Sequence, residues 1–129
     1  MKKLVVLIVV IAMLAIGYVT IIRPPTTSEA RLTFATLESK LKVGAKLYDV
    51  RTAEEYNAGH APGATNWSLQ DIESGRLPDT PKDTEIFLYC RSGNRSAQAS
   101  DLLKKAGFTH VTDLGGLTDM QALGAKLVQ

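Results

Sequence analysis

The chain contains one cysteine, Cys90, and the residues around it are of the types that make a thiol reactive. It stands directly after the apolar run Glu85 to Tyr89 (EIFLY) and is followed by Arg91-Ser92-Gly93-Asn94-Arg95-Ser96. A thiolate, not a thiol, is the nucleophile, so the question is what would keep this sulfur charged. A glycine inside the loop lets the backbone curl until successive amides point inward at an anion. A helix starting just beyond the loop adds unpaired N–H groups and a partial positive charge. Arg91 and Arg95 add two cations. Environments of this kind bring a cysteine pKa from about 8.5 down to roughly 3.5–7.5. The plain alternative is a small buried hydrophobe at a strand end. That leaves a basic, amide-rich loop without a purpose.

Such a loop needs a strand to end at it and a helix to start from it. From Leu32 onward, strand and helix signals alternate. Thr33 can cap a short helix with Phe34, Leu37 and Leu41 on one face, closed by Gly44. Lys46 to Val50 (KLYDV) reads as a strand. Thr52 and Glu55 have capping-box spacing for a one- or two-turn helix ending at Gly59. Ala61-Pro62-Gly63-Ala64 turns into a short strand near Thr65 to Trp67. Ser68 and Asp71 cap another short helix, and a Pro-rich loop runs from Gly75 to Thr84. EIFLY is apolar throughout, as strands buried on both faces of a parallel sheet are. A helix over about Ser96 to Ala106 is stopped by Gly107, and the last strand, His110 to Leu114, is broken by Gly115-Gly116. This order predicts an α/β domain whose parallel sheet carries helices on both faces. Ligands of open α/β sheets bind beyond the carboxyl ends of the strands, which is where Cys90 falls.

Other chemistry-bearing residues carry less. Asp49 and Arg51 end a strand at the edge occupied by Cys90, where they can support the loop or stabilise a turn. His60 lies in a Gly/Pro turn and is expected to make a structural hydrogen bond. His110 precedes a strand and is expected at the surface. Glu54 and Glu55 read as helix-start residues and not as an acid/base pair. Trp67 is expected to pack. Asp79, Asp83 and Glu85 have no histidine or cysteine nearby and do not form a metal-ligand set.

The N-terminal end is different in kind. Lys2 and Lys3 precede nineteen uncharged residues, Leu4 to Ile22. As a helix this run is about 28 Å long, close to a hydrocarbon core of about 30 Å and longer than a usual secretory h-region. The expectation is a membrane anchor over residues 1–22, a polar linker over 23–31 and a domain over 32–129. The alternative is a signal sequence cleaved near Ser28-Glu29-Ala30. Positive charge ahead of the span and only Arg23 close behind it place the domain outside a bacterial inner membrane, facing the periplasm. Setting Lys2 and Lys3 aside leaves thirteen basic residues against thirteen acidic ones. A neutral domain gives no electrostatic footprint for nucleic acid. One cysteine also rules out an intrachain disulfide, so the fold rests on a hydrophobic core.

Cys-x-x-Gly-x-Arg-Ser after an apolar strand resembles the active-site loop of the rhodanese family. Three further motifs accompany it in order: Tyr48-Asp49-Val50-Arg51 with Glu54 and Tyr56; Gly59-His60-Ala61-Pro62-Gly63-Ala64 with Asn66; and Asp113-Leu114-Gly115-Gly116-Leu117. The resemblance spans about Leu32 to Met120 and is greatest to small exported rhodaneses of the phage-shock-protein E kind. Asp119 and Met120 stand where a tryptophan is often found after the double glycine, and Ser68 replaces a common proline. The resemblance implies a single-domain sulfurtransferase in which Cys90 takes a sulfane sulfur from thiosulfate or a similar donor and passes it to a thiol or, in vitro, to cyanide. It implies a persulfide cradled by the backbone from Arg91 through Ser92, Gly93 and Asn94 to Arg95, with no metal or cofactor. Arg91 is the candidate for the donor's oxyanion end, and Arg95 either shares that task or braces the loop. A tethered persulfide carrier with little turnover of its own is the alternative. A cysteine phosphatase fits less well, since Cys-x5-Arg makes its wider cradle and here the spacing is Cys-x4-Arg, with Ser96 at the phosphatase position.

Overall fold

A computed structural model describes residues 32–129. The elements, in chain order, are α1 (Phe34–Lys42), β1 (Lys46–Asp49), α2 (Ala53–Asn57), β2 (Thr65–Asn66), α3 (Leu69–Glu73), β3 (Ile86–Tyr89), α4 (Asn94–Lys105), β4 (Val111–Asp113) and α5 (Leu117–Ala122). The expected anchor and linker lie outside the described residues. Among the described residues, no helix is long and apolar enough to cross a membrane.

Three of the short helices start where capping chemistry says they must. Thr33, Thr52 and Ser68 each accept the backbone N–H of the residue three positions on, which satisfies one of the donors a helix start leaves unpaired. The strands form one parallel sheet in the order β2-β1-β3-β4. Alternation along β1 and β3 sends side chains to two separate cores. Tyr48, Val50, Ile86, Leu88 and Cys90 meet Leu69, Ile72, Ala99 and Leu103 from α3 and α4. Leu47, Phe87 and Tyr89 meet Phe34, Leu37 and Met120 from α1 and α5. Each fully buried side chain of this size contributes about 1.5–3 kcal/mol. The sheet is thus covered on both faces, as the alternation of signals predicts.

Two features differ from the sequence reading. Helix α4 begins at Asn94 and not near Ser96, because the Gly93 carbonyl already accepts the Ala97 N–H at 3.1 Å. Helix α5 follows the double glycine directly and was not expected. It has no Ser or Thr cap; Asp119 reaches back to the Gly116 N–H at 2.7 Å. Met120, at the other position that departs from the resemblance, is fully buried in the second core.

Candidate active site

Cys90 leaves the carboxyl end of β3 at the centre of the sheet, and its own surface is 0 % exposed. The backbone turns back over it through Gly93, whose φ of +94° favours glycine. That turn brings the Gly93 N–H to 3.0 Å from the Cys90 Sγ. Burial is the largest influence on the thiol and pushes it up. The Ser96 hydroxyl and the amides of Ser96, Ser92 and Gly93 together outweigh burial, so the thiol lies below its ordinary value. Ser96, which closes the Cys-x-x-Gly-x-Arg-Ser motif, is buried in the first turn of α4, and the sequence reading gives its hydroxyl no role at the sulfur. Its hydroxyl also lies 3.1 Å from the Gly93 carbonyl and 3.3 Å from that of Gly115.

The five loop residues separate into two groups. Ser92 and Gly93 bring main-chain donors to the sulfur, and Arg91 is exposed. Asn94 and Arg95 belong to the first turn of α4 and are turned elsewhere. The Asn94 Oδ1 accepts from the Gln98 side chain at 2.6 Å. Arg95 donates with both terminal nitrogens to Glu55, at 2.6 and 2.8 Å. Of the two roles open to Arg95, bracing the loop against α2 is the one its contacts match. Glu55 is therefore more than a helix-start residue, although it does accept the Thr52 N–H at 3.1 Å.

The double glycine holds the loop from above. The Gly115 carbonyl accepts the Cys90 N–H at 3.0 Å, and the Arg91 carbonyl accepts the Leu117 N–H at 3.1 Å. Gly116 has an ordinary φ, but a Cβ there would sit 2.7 Å from the Arg91 carbonyl oxygen and 3.0 Å from the Ser92 Cα. Both obstacles are backbone of the cradle itself. Gly116→Ala is expected to displace the loop at a cost of about 1–3 kcal/mol, with the Cys90 thiol returning toward its ordinary range. Thermal unfolding and thiol titration of the variant check both parts; an unchanged titration would show that the double glycine does not shape the cradle.

Beneath the loop, on the other face of the sheet, lies a buried ionic cluster. Asp49 is 0 % exposed and Arg51 4 %. Asp49 accepts the Arg51 Nε at 2.9 Å, the Arg51 backbone N–H at 3.0 Å and the Tyr89 hydroxyl at 2.7 Å. Arg51 also donates to the Gly59 carbonyl at 2.7 Å, and the Ala61 N–H donates to the Tyr89 oxygen at 2.9 Å. Burial works against the charge on Arg51, but its hydrogen bond to Asp49 and the field of that carboxylate hold its pKa above the ordinary value. Burial likewise raises the Tyr89 phenol, which stays protonated and donating. Asn66 ties β2 to this point through the Asp49 and Arg51 carbonyls, at 3.0 and 2.9 Å. His60 donates its Nδ1–H to the Tyr56 carbonyl (3.0 Å) and stacks on the Tyr56 ring, a structural placement. Trp67 packs at 6.0 Å from Tyr48 and donates to the Arg76 carbonyl. A surface cleft of about 300 Å³ between α3 and α4 is lined by Glu73, Gln98, Asp101, Leu102 and Lys105. It includes no loop residue, so the candidate site rests on the geometry around the sulfur and not on cavity volume.

A family model for the rhodanese-like domain matches residues 33–123. The chain belongs to the rhodanese-like sulfurtransferase family. Among rhodanese-like relatives, thiosulfate sulfurtransferase PspE of Escherichia coli is 37% identical over 73 residues, covering 56% of this chain and 70% of that protein. The putative sulfur carrier protein YrkF of Bacillus subtilis is 37% identical over 68 residues, covering 53% of this chain and 36% of that protein. A solved structure described as a rhodanese with anions from E. coli superposes with a TM-score of 0.55 at 33% identity, covering 66% of this chain and 98% of that one. The rhodanese-like match takes in all four sequence motifs and the whole cradle.

Proposed function

We propose that this domain is a thiosulfate:acceptor sulfurtransferase that works through a persulfide on Cys90. The observation that carries the reading is the Gly93 amide 3.0 Å from a buried sulfur whose titration is drawn downward. In the first step the Cys90 thiolate bonds to the terminal sulfur of thiosulfate. The donor S–S bond breaks and sulfite leaves with the electron pair. The amides of Ser92, Gly93 and Ser96 are already aimed at the place where negative sulfur must be held, so no reorganisation is required during reaction. Arg91, exposed and next to Cys90 in the chain, is the candidate cation for the sulfite end of the donor. In the second step a thiol takes the outer sulfur as a hydropersulfide and returns Cys90 as the thiolate; cyanide takes it as thiocyanate. This is covalent catalysis by a nucleophile ionised in advance.

The similarity to a protein named as a sulfur carrier supports a second reading, in which the persulfide is handed to a protein partner and free turnover is slow. Intact-mass spectrometry after thiosulfate exposure tests what the two share. The expected result is one added sulfur atom per chain, removed by cyanide with release of thiocyanate. No added sulfur would contradict both readings. Steady-state turnover with thiosulfate and cyanide supports the enzyme; a stoichiometric persulfide with negligible turnover supports the carrier.

A further inference from the structure

The two arginines that flank Cys90 are not equivalent. Arg95 is forked onto Glu55, and both side chains are roughly two-thirds covered, 31% and 27% exposed. A bidentate pair of this kind is geometrically fixed. Glu55 is held from its other side by the Thr52 N–H at the start of α2. The Arg95 hydrogen bond, as the main cause, brings the Glu55 carboxyl down to about 2, so the pair stays charged through neutral pH. Arg95 is stabilised as a cation chiefly by Glu55, and it also feels the charges of Cys90 and Arg51. Arg51 in turn is matched by Asp49. Charges near the sulfur therefore cancel in pairs. Arg91 is exposed and, among the described residues, forms no ion pair.

We propose that Glu55 is a specificity-determining residue: by cancelling the cation of Arg95 it weakens the site's hold on dianionic sulfur donors relative to monoanionic ones. The inference rests on the sulfur-transfer reading and adds a charge preference to it: thiosulfate remains a donor, but the paired Arg95 gives its second negative charge no extra cation, which favours monoanionic sulfane donors such as an organic thiosulfonate more than a free Arg95 would. With such a donor the Cys90 sulfur bonds to the terminal sulfur, the donor S–S bond breaks, and a sulfinate leaves with the electron pair. A merely structural brace between α2 and α4 would affect all donors alike. A charge effect would not, because a dianion feels one uncompensated unit charge more strongly than a monoanion does; one extra unit charge at about 4 Å in a water-like medium changes affinity about fivefold.

The test uses the full chain and two donors, thiosulfate and benzenethiosulfonate, with cyanide as acceptor. Glu55→Gln keeps the shape and an acceptor oxygen for Arg95 but leaves the cation uncompensated. The ratio of kcat/KM for thiosulfate over benzenethiosulfonate is expected to rise about fivefold, mainly through KM. Arg95→Gln leaves the carboxylate uncompensated, and the ratio is expected to fall by a similar factor. The double variant restores charge balance and should return the ratio to within about twofold of the native value. Equal losses with both donors, or a ratio that the double variant does not restore, would overturn the proposal in favour of a brace. Failure of the native chain to gain a sulfur atom from either donor, read by intact mass, is a separate outcome, and it would remove the sulfur-transfer reading itself.

Discussion

Cys90→Ser is expected to abolish sulfur transfer while leaving the domain folded. Serine is nearly isosteric, and the Gly93 N–H that donates to Sγ at 3.0 Å finds an oxygen in the same place. Loss of stability should stay within about 1 kcal/mol, since a donor–acceptor pair is exchanged and not broken. Chemistry is another matter. The hydroxyl is not ionised near neutrality, and oxygen cannot hold a sulfane sulfur as a persulfide does. Removing the nucleophile of a covalent mechanism costs on the order of 10⁴-fold or more. Thiocyanate production from thiosulfate and cyanide measures the loss, and thermal unfolding measures the intact fold. Retained turnover in a folded variant would assign the reaction to some other group.

Asp49→Ala is expected to have the largest effect on stability. The substitution removes the carboxylate that accepts from Arg51 and from the Tyr89 hydroxyl, and leaves a guanidinium 4 % exposed with the Gly59 carbonyl as its remaining acceptor. Breaking a buried pair by deleting one partner costs about 3–5 kcal/mol, because a charge is left without compensation. Against a total stability of about 5–15 kcal/mol this is a large share. For a domain of this size it corresponds to a fall in thermal midpoint of more than about 12 °C. Replacing both Asp49 and Arg51 with apolar residues of similar volume should cost less than Asp49→Ala alone. A single variant that melts with the native chain would show that the cluster contributes nothing to the fold.

The parts of the site that were legible in the sequence are those with local causes. Thr33, Thr52 and Ser68 start helices through contacts three residues along the chain, so their spacing alone reveals them. The apolar run before Cys90 is buried on both faces, and a strand buried in that way has to read as it does. Loop position followed from the strand it ends. What could not be read depends on register or on distant contacts. Asp49 and Tyr89 meet because they are direct partners across β1 and β3, forty residues apart. Glu55 and Arg95 are equally distant in sequence, and the cap at Thr52 explains Glu55 so well that nothing local asks for a second partner. Gly115 and Gly116 announce a break in the chain, yet their contact with Arg91 and Ser92 exists only after the sheet has formed. Helix α5 escaped because its cap lies inside it, at Asp119.

Sulfur transfer through Cys90 depends on the cradle keeping the thiol ionised, and the direct measurement is the pH dependence of its alkylation by iodoacetamide. Because the sulfur is buried, the absolute rate carries little information; the midpoint does. A midpoint clearly below the free-cysteine value of about 8.5 is the predicted result, since the Ser96 hydroxyl and the amides of Ser96, Ser92 and Gly93 outweigh burial. A midpoint at or above that value would mean that burial prevails over the amide ring, and the thiolate on which both transfer steps rely would not be there.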